Sequence, residues 1–525
     1  MTDARTDRDP LGLVLLAAAI GLLLLVGVSG TSLALPPLGR HGWAPPSLPW
    51  QLGGWTVVAL QTVGYLLGGL SLWRHVRRPT PLRLRWWQLA LLAALILLTA
   101  PFGTADHTNY AAYGRILVEG GDPWSVVPAD WRGGIDPVVS RVQDPWQEAT
   151  SVYGPVGTWL MGLSAWLGGE VARQVVWVWQ VLVVAAWLGT RELLVRLGPA
   201  RSTVDRWWTT NVVVLGAGVL GAHVDMLAVC AMAAALGLGL ARRPLLAGLA
   251  TGLAASTKLT AGVVGIALLW ALVAERRHPQ APPPAHDLKE MRPNRTAPAH
   301  DLKEMRLGGV ARLVIGALLL LVPAHLVIGW QALGRIVQAG GGISYAMPWR
   351  AVYTALDLVM SEPAARSATT WIAAVGCVLI ALALWRLTDA LTEILAVRVL
   401  FVLTTAYSLG AGYVLPWYEL PQWLATAALV GLLSTEGWRR FRPLLLLLVA
   451  RSVVLALAYV PGRVHLPDDI EAVTLGFRFV ASPLMTLAVW VALWIMWRRA
   501  AQTTGRAAPG RGPTPQQPGS PYPSR

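Results

Sequence analysis

The sequence predicts an all-α, polytopic integral membrane protein, and three observations carry that prediction. Apolar runs near twenty residues recur from Leu11 to Trp497, each long enough to cross roughly 30 Å of hydrocarbon. Charged residues make up 14% of the 525, hydrophobic ones 55%, and the mean hydropathy is +0.51, whereas a soluble chain carries about 25% charge. The basic residues gather in short runs at the ends of apolar segments, as at Arg74, Arg77, Arg78, Arg83 and Arg85, or at Arg439, Arg440 and Arg442. That is the positive-inside pattern of a multispanning chain, so the net charge of +15 reports topology and not nucleic-acid binding. Cys230 and Cys377 both lie in apolar segments and imply no disulfide framework.

Keeping every strong arginine cluster on one side orders the elements. Residues 1–10 are a cytoplasmic N-terminus. The run that follows has no clean small-residue cleavage site and reads as a retained helix. Residues 11–35 and 51–73 form a first pair, closed by a basic cytoplasmic loop to Arg85, and 86–102 exits. Residues 103–173 are a large extracytoplasmic loop with eight acidic side chains against four arginines. Within it, 153–168 is apolar but short and opens on Gly154 and Pro155, as an interfacial or re-entrant helix does. Residues 175–195 return, 207–221 exit and 224–240 come back. The stretch 244–274 has basic ends at Arg243 and at Arg276 and Arg277, so it is a hairpin of two short helices broken near Ser256–Lys258. Such broken helices bring polar groups to membrane depth.

Further spans at 309–330, 369–385, 395–414, 420–433, 443–460 and 475–497 complete about 14 crossings, a membrane unit of 11–497 with both termini cytoplasmic. The cytoplasmic loop 275–308 contains PAHDLKEMR twice, from Pro284 and from Pro298. It reads as a duplicated flexible linker, with a short docking helix as the alternative. Residues 498–525, rich in Pro, Gly, Gln and Ser from Gly505 onward, read as a disordered cytoplasmic tail.

Polar residues collect at the far-side helix ends. In ADHTNYAAYGRILVEGGDPW, residues 105–124, Asp106, Tyr110, Tyr113 and Leu117 fall on one helix face. Gly120 and Gly121 end that helix, and Asp122-Pro123 starts a turn. GAHVDM, residues 221–226, sets His223 two residues from Asp225 at a helix junction; the pair is an incomplete metal-ligand set. Lys258 is the one lysine of the membrane region, and a buried cation is a natural phosphate partner. YVLPWYELPQW, residues 413–423, places Trp417, Tyr418 and Glu419 at another far-side junction. Each has a plainer reading. Asp106 also fits a helix cap, Lys258 a snorkelling residue, His223 a satisfied core histidine, and the aromatics an interface belt. The topology nevertheless brings all of them to one side, and it was not built to do so.

These blocks, together with SVYGP at 151–155 and RRPLLAGLATGLAASTK at 242–258, resemble the actinobacterial polyprenyl-phosphomannose-dependent mannosyltransferases. The likeness is to the α-(1→6)-mannosyltransferases of lipomannan and lipoarabinomannan assembly, in the GT-C superfamily, and it covers about 11–497. It implies a GT-C type fold, a first large extracytoplasmic loop with an essential aspartate, and a polyprenyl-phosphate-linked sugar donor. Asp106 matches that aspartate. His223 and Asp225 match a block usually written His-Asn-Asp, with Val224 in place of the Asn, and Lys258 matches a basic residue at the hairpin break. The duplicated linker is not part of the resemblance.

The activity so implied is inverting transfer of mannose to a mannolipid or mannan acceptor, at the outer face of a bacterial plasma membrane. A sugar phosphate leaves as an anion without protonation, so one base and positive charge near the phosphate suffice. Asp106 is then the base, with Lys258 and His223 on the donor phosphate and Asp225 and Asp122 as polar support. Tyr110, Tyr113, Trp417, Tyr418 and Glu419 are the sugar or lipid contacts. No cofactor or metal is demanded, since a basic residue and helix N-termini can hold the phosphate. The partners are the lipid-linked donor, a mannolipid or glycan acceptor and membrane lipid; nothing in the sequence sets the oligomeric state. A same-class transferase of another sugar, a polyprenol-linked sugar flippase or transporter, and a non-catalytic envelope protein are the rival readings.

Overall fold

The computed structural model describes residues 9–277, 299–329, 332–335, 341–389, 391–462 and 465–506. Among these the regular secondary structure is entirely helical. The first copy of the PAHDLKEMR repeat, Arg463 and the tail beyond Arg506 lie outside the described residues.

Helix α1 (Pro10–Val28) starts at Asp9, whose carboxylate accepts from the amide of Gly12 and pairs with Arg74 at 2.8 Å. It lies along α2 (Gly54–Arg77), and the Ser71 hydroxyl of α2 donates to the Gly12 carbonyl at 2.6 Å. After α3 (Trp86–Leu97) come α4 (Asp106–Val118) and α5 (Pro155–Gly168), which pack side by side. A Cβ at Gly114 of α4 would meet the Met161 carbonyl oxygen of α5 at 2.1 Å, so the two backbones touch only because position 114 has no side chain. The long α6 (Ala172–Arg196) leads through α7 (Arg201–Val204) into two π-helical stretches, Asp205–Thr209 and Val214–Leu220. The chain then bends by 110° into α8 (Asp225–Leu240).

Helices α9 (Pro244–Thr257) and α10 (Val263–Arg277) form the expected hairpin. Ala255 faces Gly262 and Thr251 faces Gly265, a register that reverses about Lys258. In α11 (Ala299–Ile328), residues 299–306 of the second repeat copy open the helix, where a flexible linker was expected. Small residues let α11 approach α9 closely: Gly248 lies under the Leu313 carbonyl and Gly316 under that of Leu245, a common membrane-helix device.

The remainder comprises α12 (Trp349–Asp357), α13 (Glu362–Leu387), α14 (Leu395–Gly410), a 3₁₀ turn at Pro416–Glu419, α15 (Leu420–Val430) and α16 (Thr435–Leu457). It ends with α17 (Asp468–Gly476) and α18 (Ser482–Arg506). Helix α18 thus continues eight residues past position 498, into the expected tail.

Each expected crossing overlaps a helix, some much shorter than expected (Pro10–Val28 for 11–35, Trp86–Leu97 for 86–102). Against about 14 expected crossings, among the described residues six helices are long and apolar enough to span, or seven if the bent pair at 214–240 counts as one span. Four further apolar helices have 10–17 residues, short of the roughly twenty that a full crossing needs. Half-length helices are tolerated where protein surrounds their ends. The outward faces of α11 and α13 carry Leu319, Leu326, Trp371 and Leu382 largely exposed, as a lipid-facing surface requires. The protein is a multi-pass membrane protein with a helical interior, where Trp179, Trp187, Trp207, Trp208 and Trp423 are fully buried.

Candidate active site

Four segments meet at one end of the bundle: the first turn of α4, the bend before α8, the tip of the α9–α10 hairpin and the 3₁₀ turn at Pro416–Glu419. Asp106 opens α4, its amide bonded to the Thr104 hydroxyl at 3.0 Å. At the bend, Ala222 takes φ +51, a left-handed conformation uncommon for alanine. Its carbonyl is held by the Trp179 indole at 2.7 Å. That kink turns the chain out of the π-helical stretch immediately before His223 and Asp225. At the hairpin tip, a Cβ on Gly154 would meet the Ser256 carbonyl oxygen at 2.2 Å. The glycine of SVYGP therefore lets the large loop sit directly on the backbone beside Lys258.

The side chains form two linked groups. The Nδ1 of His223 lies 3.5 Å from the Asp106 carboxylate and 3.3 Å from the Tyr110 hydroxyl. The imidazole is fully buried and stacks on Trp417 with ring centroids 3.7 Å apart. Lys258 donates to Asp225 at 2.6 Å, and its ammonium sits 3.6 Å above the Tyr418 ring. Burial pushes the Asp106 carboxyl up to about 6, although the Thr104 hydroxyl and the Lys258 charge both favour its ionised form. Burial also raises the Tyr110 hydroxyl well above its ordinary value. The side chains of Asp106 and Lys258 keep 17% and 16% of their surface, while His223 and Asp225 are closed off. A carboxylate poised near neutrality can take up a proton, and an ammonium with three donors has valence left after one carboxylate.

Of the residues singled out from sequence, Asp106, Tyr110, His223, Asp225, Lys258, Trp417 and Tyr418 therefore come together. Tyr113 stands one turn behind, its hydroxyl donating to the Ala149 carbonyl at 2.9 Å and its ring beside Tyr153. Two residues do not join them. The Asp122 carboxylate accepts from the Trp124 amide at 3.0 Å and the Ser125 hydroxyl at 2.5 Å, so it shapes its own turn. Glu419 points away from the cluster and is fully buried against Arg451 and Ser408. A 3₁₀ turn sends successive side chains about 120° apart. Trp417 goes to His223, Tyr418 to Lys258 and Glu419 to the interior.

Sequence reasoning missed Tyr153 and Trp179, whose rings flank Tyr110 at 5.2 Å each. It also missed Arg451, whose signal was present: an arginine deep in an apolar run is a residue to explain by default.

Residues 14–274 match the family model described as "Alpha-(1->6)-mannopyranosyltransferase, N-terminal domain". Among solved structures, the chain is similar to ArnT from Cupriavidus metallidurans bound to undecaprenyl phosphate. That likeness has 14% identity over 79% of this chain and 77% of that one, with a TM-score of 0.40. No curated protein matches.

Proposed function

We propose, for a glycosyltransferase that belongs through residues 14–274 to the alpha-(1->6)-mannopyranosyltransferase family, an inverting transfer of mannose from a polyprenyl-phosphate-mannose donor. The acceptor is a mannolipid or mannan at the extracytoplasmic face of a bacterial plasma membrane, and the new link is α-(1→6). The observation that carries this reading is that Asp106 and Lys258 stand in one cluster and keep part of their surface open, while His223 and Asp225 beside them are closed off.

In this mechanism the Asp106 carboxylate removes the proton of the acceptor hydroxyl as its oxygen attacks the anomeric carbon. The bond from that carbon to the phosphate oxygen breaks, and polyprenyl phosphate leaves as an anion. Lys258 faces the departing phosphate and offsets its growing charge. No acid is needed for such a leaving group, which fits the state of the second carboxylate: Asp225 is committed to Lys258, whereas glycoside hydrolysis needs two free carboxyl groups. His223, wedged between Trp417 and the Asp106–Tyr110 pair, orients the base. Trp417 and Tyr418 form a wall for sugar or lipid.

The test supplies membranes containing the protein with radiolabelled polyprenyl-phosphomannose and a panel of mannolipid acceptors, then determines the linkage. Label in α-(1→6) linkage, absent with Asp106→Asn, is the expected result. Transfer of no mannose, or label in another linkage, overturns the assignment.

A further inference from the structure

Beyond Trp417 the aromatic wall continues. The Tyr459 ring lies 6.1 Å from that of Trp417, and Arg478 stacks over Tyr459 at 4.6 Å. The Tyr459 hydroxyl meets Ser344 at 3.1 Å. Next along the chain, Arg350 stacks over Tyr345 at 4.2 Å and over Tyr353 at 4.9 Å. Tyr345 in turn touches Phe479, the neighbour of Arg478, with ring centroids 4.8 Å apart. Three guanidinium groups therefore border one aromatic surface that begins at the catalytic cluster, and the third, Arg366 at 5.7 Å from Tyr353, is paired with Glu362.

Neither Arg350 nor Arg478 has a carboxylate partner among the described residues. Arg478 spends its Nε on the Ala458 carbonyl at 2.9 Å, and its two terminal nitrogens are uncommitted there. Arg115, Arg191 and Arg451 each pair with an acid. Arg173 and Arg206 lack one but are shut inside the bundle at 4% and 3% exposure, where Arg173 donates to the Pro45 and Thr99 carbonyls and Arg206 to the Ser71 hydroxyl. Arg350 and Arg478 differ in lying at a surface that a ligand can reach. Stacking occupies the face of a guanidinium and leaves its in-plane N–H edge open, the arrangement that suits a phosphate. The surroundings narrow the ligand further. Tyr345 and Phe479 are 42% and 44% exposed, so the anion sits at an apolar rim where a lipid chain or sugar can follow.

We propose that Arg350 and Arg478 form a second lipid-phosphate subsite, separate from Lys258. It rests on the transferase reading only in calling Lys258 the first. The phosphate has two possible sources, the polyprenyl phosphate of the donor or the phosphate of an anionic lipid acceptor.

Native mass spectrometry of the detergent-purified protein tests this without any need for turnover. The probes are a polyprenyl phosphate and phosphatidylinositol, with polyprenol and diacylglycerol as neutral controls. They are titrated in a Lys258→Met, Asp225→Asn background, which leaves no charge buried alone, so that only the second subsite is read. Adding Arg350→Gln and Arg478→Gln weakens binding of one phosphate lipid at least about tenfold, since a charge-assisted hydrogen bond contributes on that scale, and leaves the neutral lipids unchanged. Loss confined to the polyprenyl phosphate assigns the donor, and loss confined to phosphatidylinositol assigns the acceptor. Arg350→Lys with Arg478→Lys keeps the charge and retains part of the binding. Arg350→Gln alone, a change at a half-buried position, gives a second measurement should the double variant not stay monodisperse. Unchanged affinity for both phosphate lipids overturns the subsite. A failure of Asp106 as base would leave these affinities as they are.

Discussion

Asp225–Lys258 and Glu419–Arg451 are both carboxylate–cation pairs enclosed by helices, yet they are built to different ends. Arg451 is 1% exposed and its guanidinium is tied in several directions: to Glu419, to the Ser408 carbonyl at 2.9 Å and to the Met347 sulfur at 3.4 Å. Among the described residues the Lys258 ammonium has one hydrogen-bonding partner, Asp225; it rests on an aromatic face and keeps a window to the outside. The first pair is a sealed fork that joins α14, the 3₁₀ turn and α16. The second is a point charge that is only partly compensated. A buried pair therefore says little about function until its spare valence and access are known. Here the Arg451 pair holds the turn that carries Trp417 and Tyr418, and in the proposed mechanism it is the Lys258 pair that meets the ligand.

The largest expected effect lies beside the open pair. Asp106→Asn keeps shape and most hydrogen bonding but removes basicity, so turnover in the mannose-transfer assay should drop at least about a hundredfold, with donor binding kept. Two further readouts follow from the carboxyl at about 6. The kcat/KM of the unaltered protein should decline as pH falls through about 6, because the protonated acid is not a base. The folded value is raised above the ordinary 3.8, so the native state holds its proton more tightly than the unfolded chain does. Asp106 then costs stability as pH rises from 3.8 through 6, and Asp106→Asn should leave thermal stability at pH 7 equal or higher. Lower stability with near-normal transfer would reduce Asp106 to a cap.

A smaller change is expected at the cation. Lys258→Met, paired with Asp225→Asn so that no charge is left buried alone, should raise donor KM by roughly ten- to a hundredfold, the range of one charge-assisted hydrogen bond. Lys258→Arg should keep more activity, though a planar guanidinium does not replace an ammonium. Normal donor kinetics in the paired variant would make the two ion pairs equivalent and end the contrast between them.

The smallest effect on chemistry belongs to the sealed pair. Glu419→Gln strands the Arg451 charge and should cost roughly 3–5 kcal/mol of stability, read as a lower unfolding temperature. Turnover per folded molecule should change less than for any variant above. Replacing both partners, Glu419→Leu with Arg451→Met, should restore much of the stability. A large fall in turnover with stability intact would move Glu419 into the catalytic cluster.

Hydropathy and arginine placement made the helical segments and the gathering of Asp106, His223 and Lys258 legible before any coordinates. The hairpin tip at Lys258 was readable because basic ends on both sides of a short apolar stretch force a reversal. The pairing within the cluster was not. It depends on the left-handed Ala222 and the π-helical stretch before it, neither of which has a residue signature. Glu419 and Asp122 lie outside the cluster because neighbouring side chains in a turn point in different directions, Glu419 to Arg451 and Asp122 to its own turn. Tyr153 was quoted within its motif, but its place against Tyr110 needed the contact between Gly154 and the hairpin backbone.

The turn at Pro416–Glu419 carries a different kind of constraint from the rest of the site. Its four residues serve as one junction for the imidazole, the ammonium and the interior arginine. Swapping one of its side chains disturbs one of those connections. Adding or removing a single residue rotates every later side chain by about 120° and misdirects them together. The length of this tetrapeptide is accordingly less negotiable than its spelling, and libraries meant to alter sugar preference here should vary letters and leave the count alone.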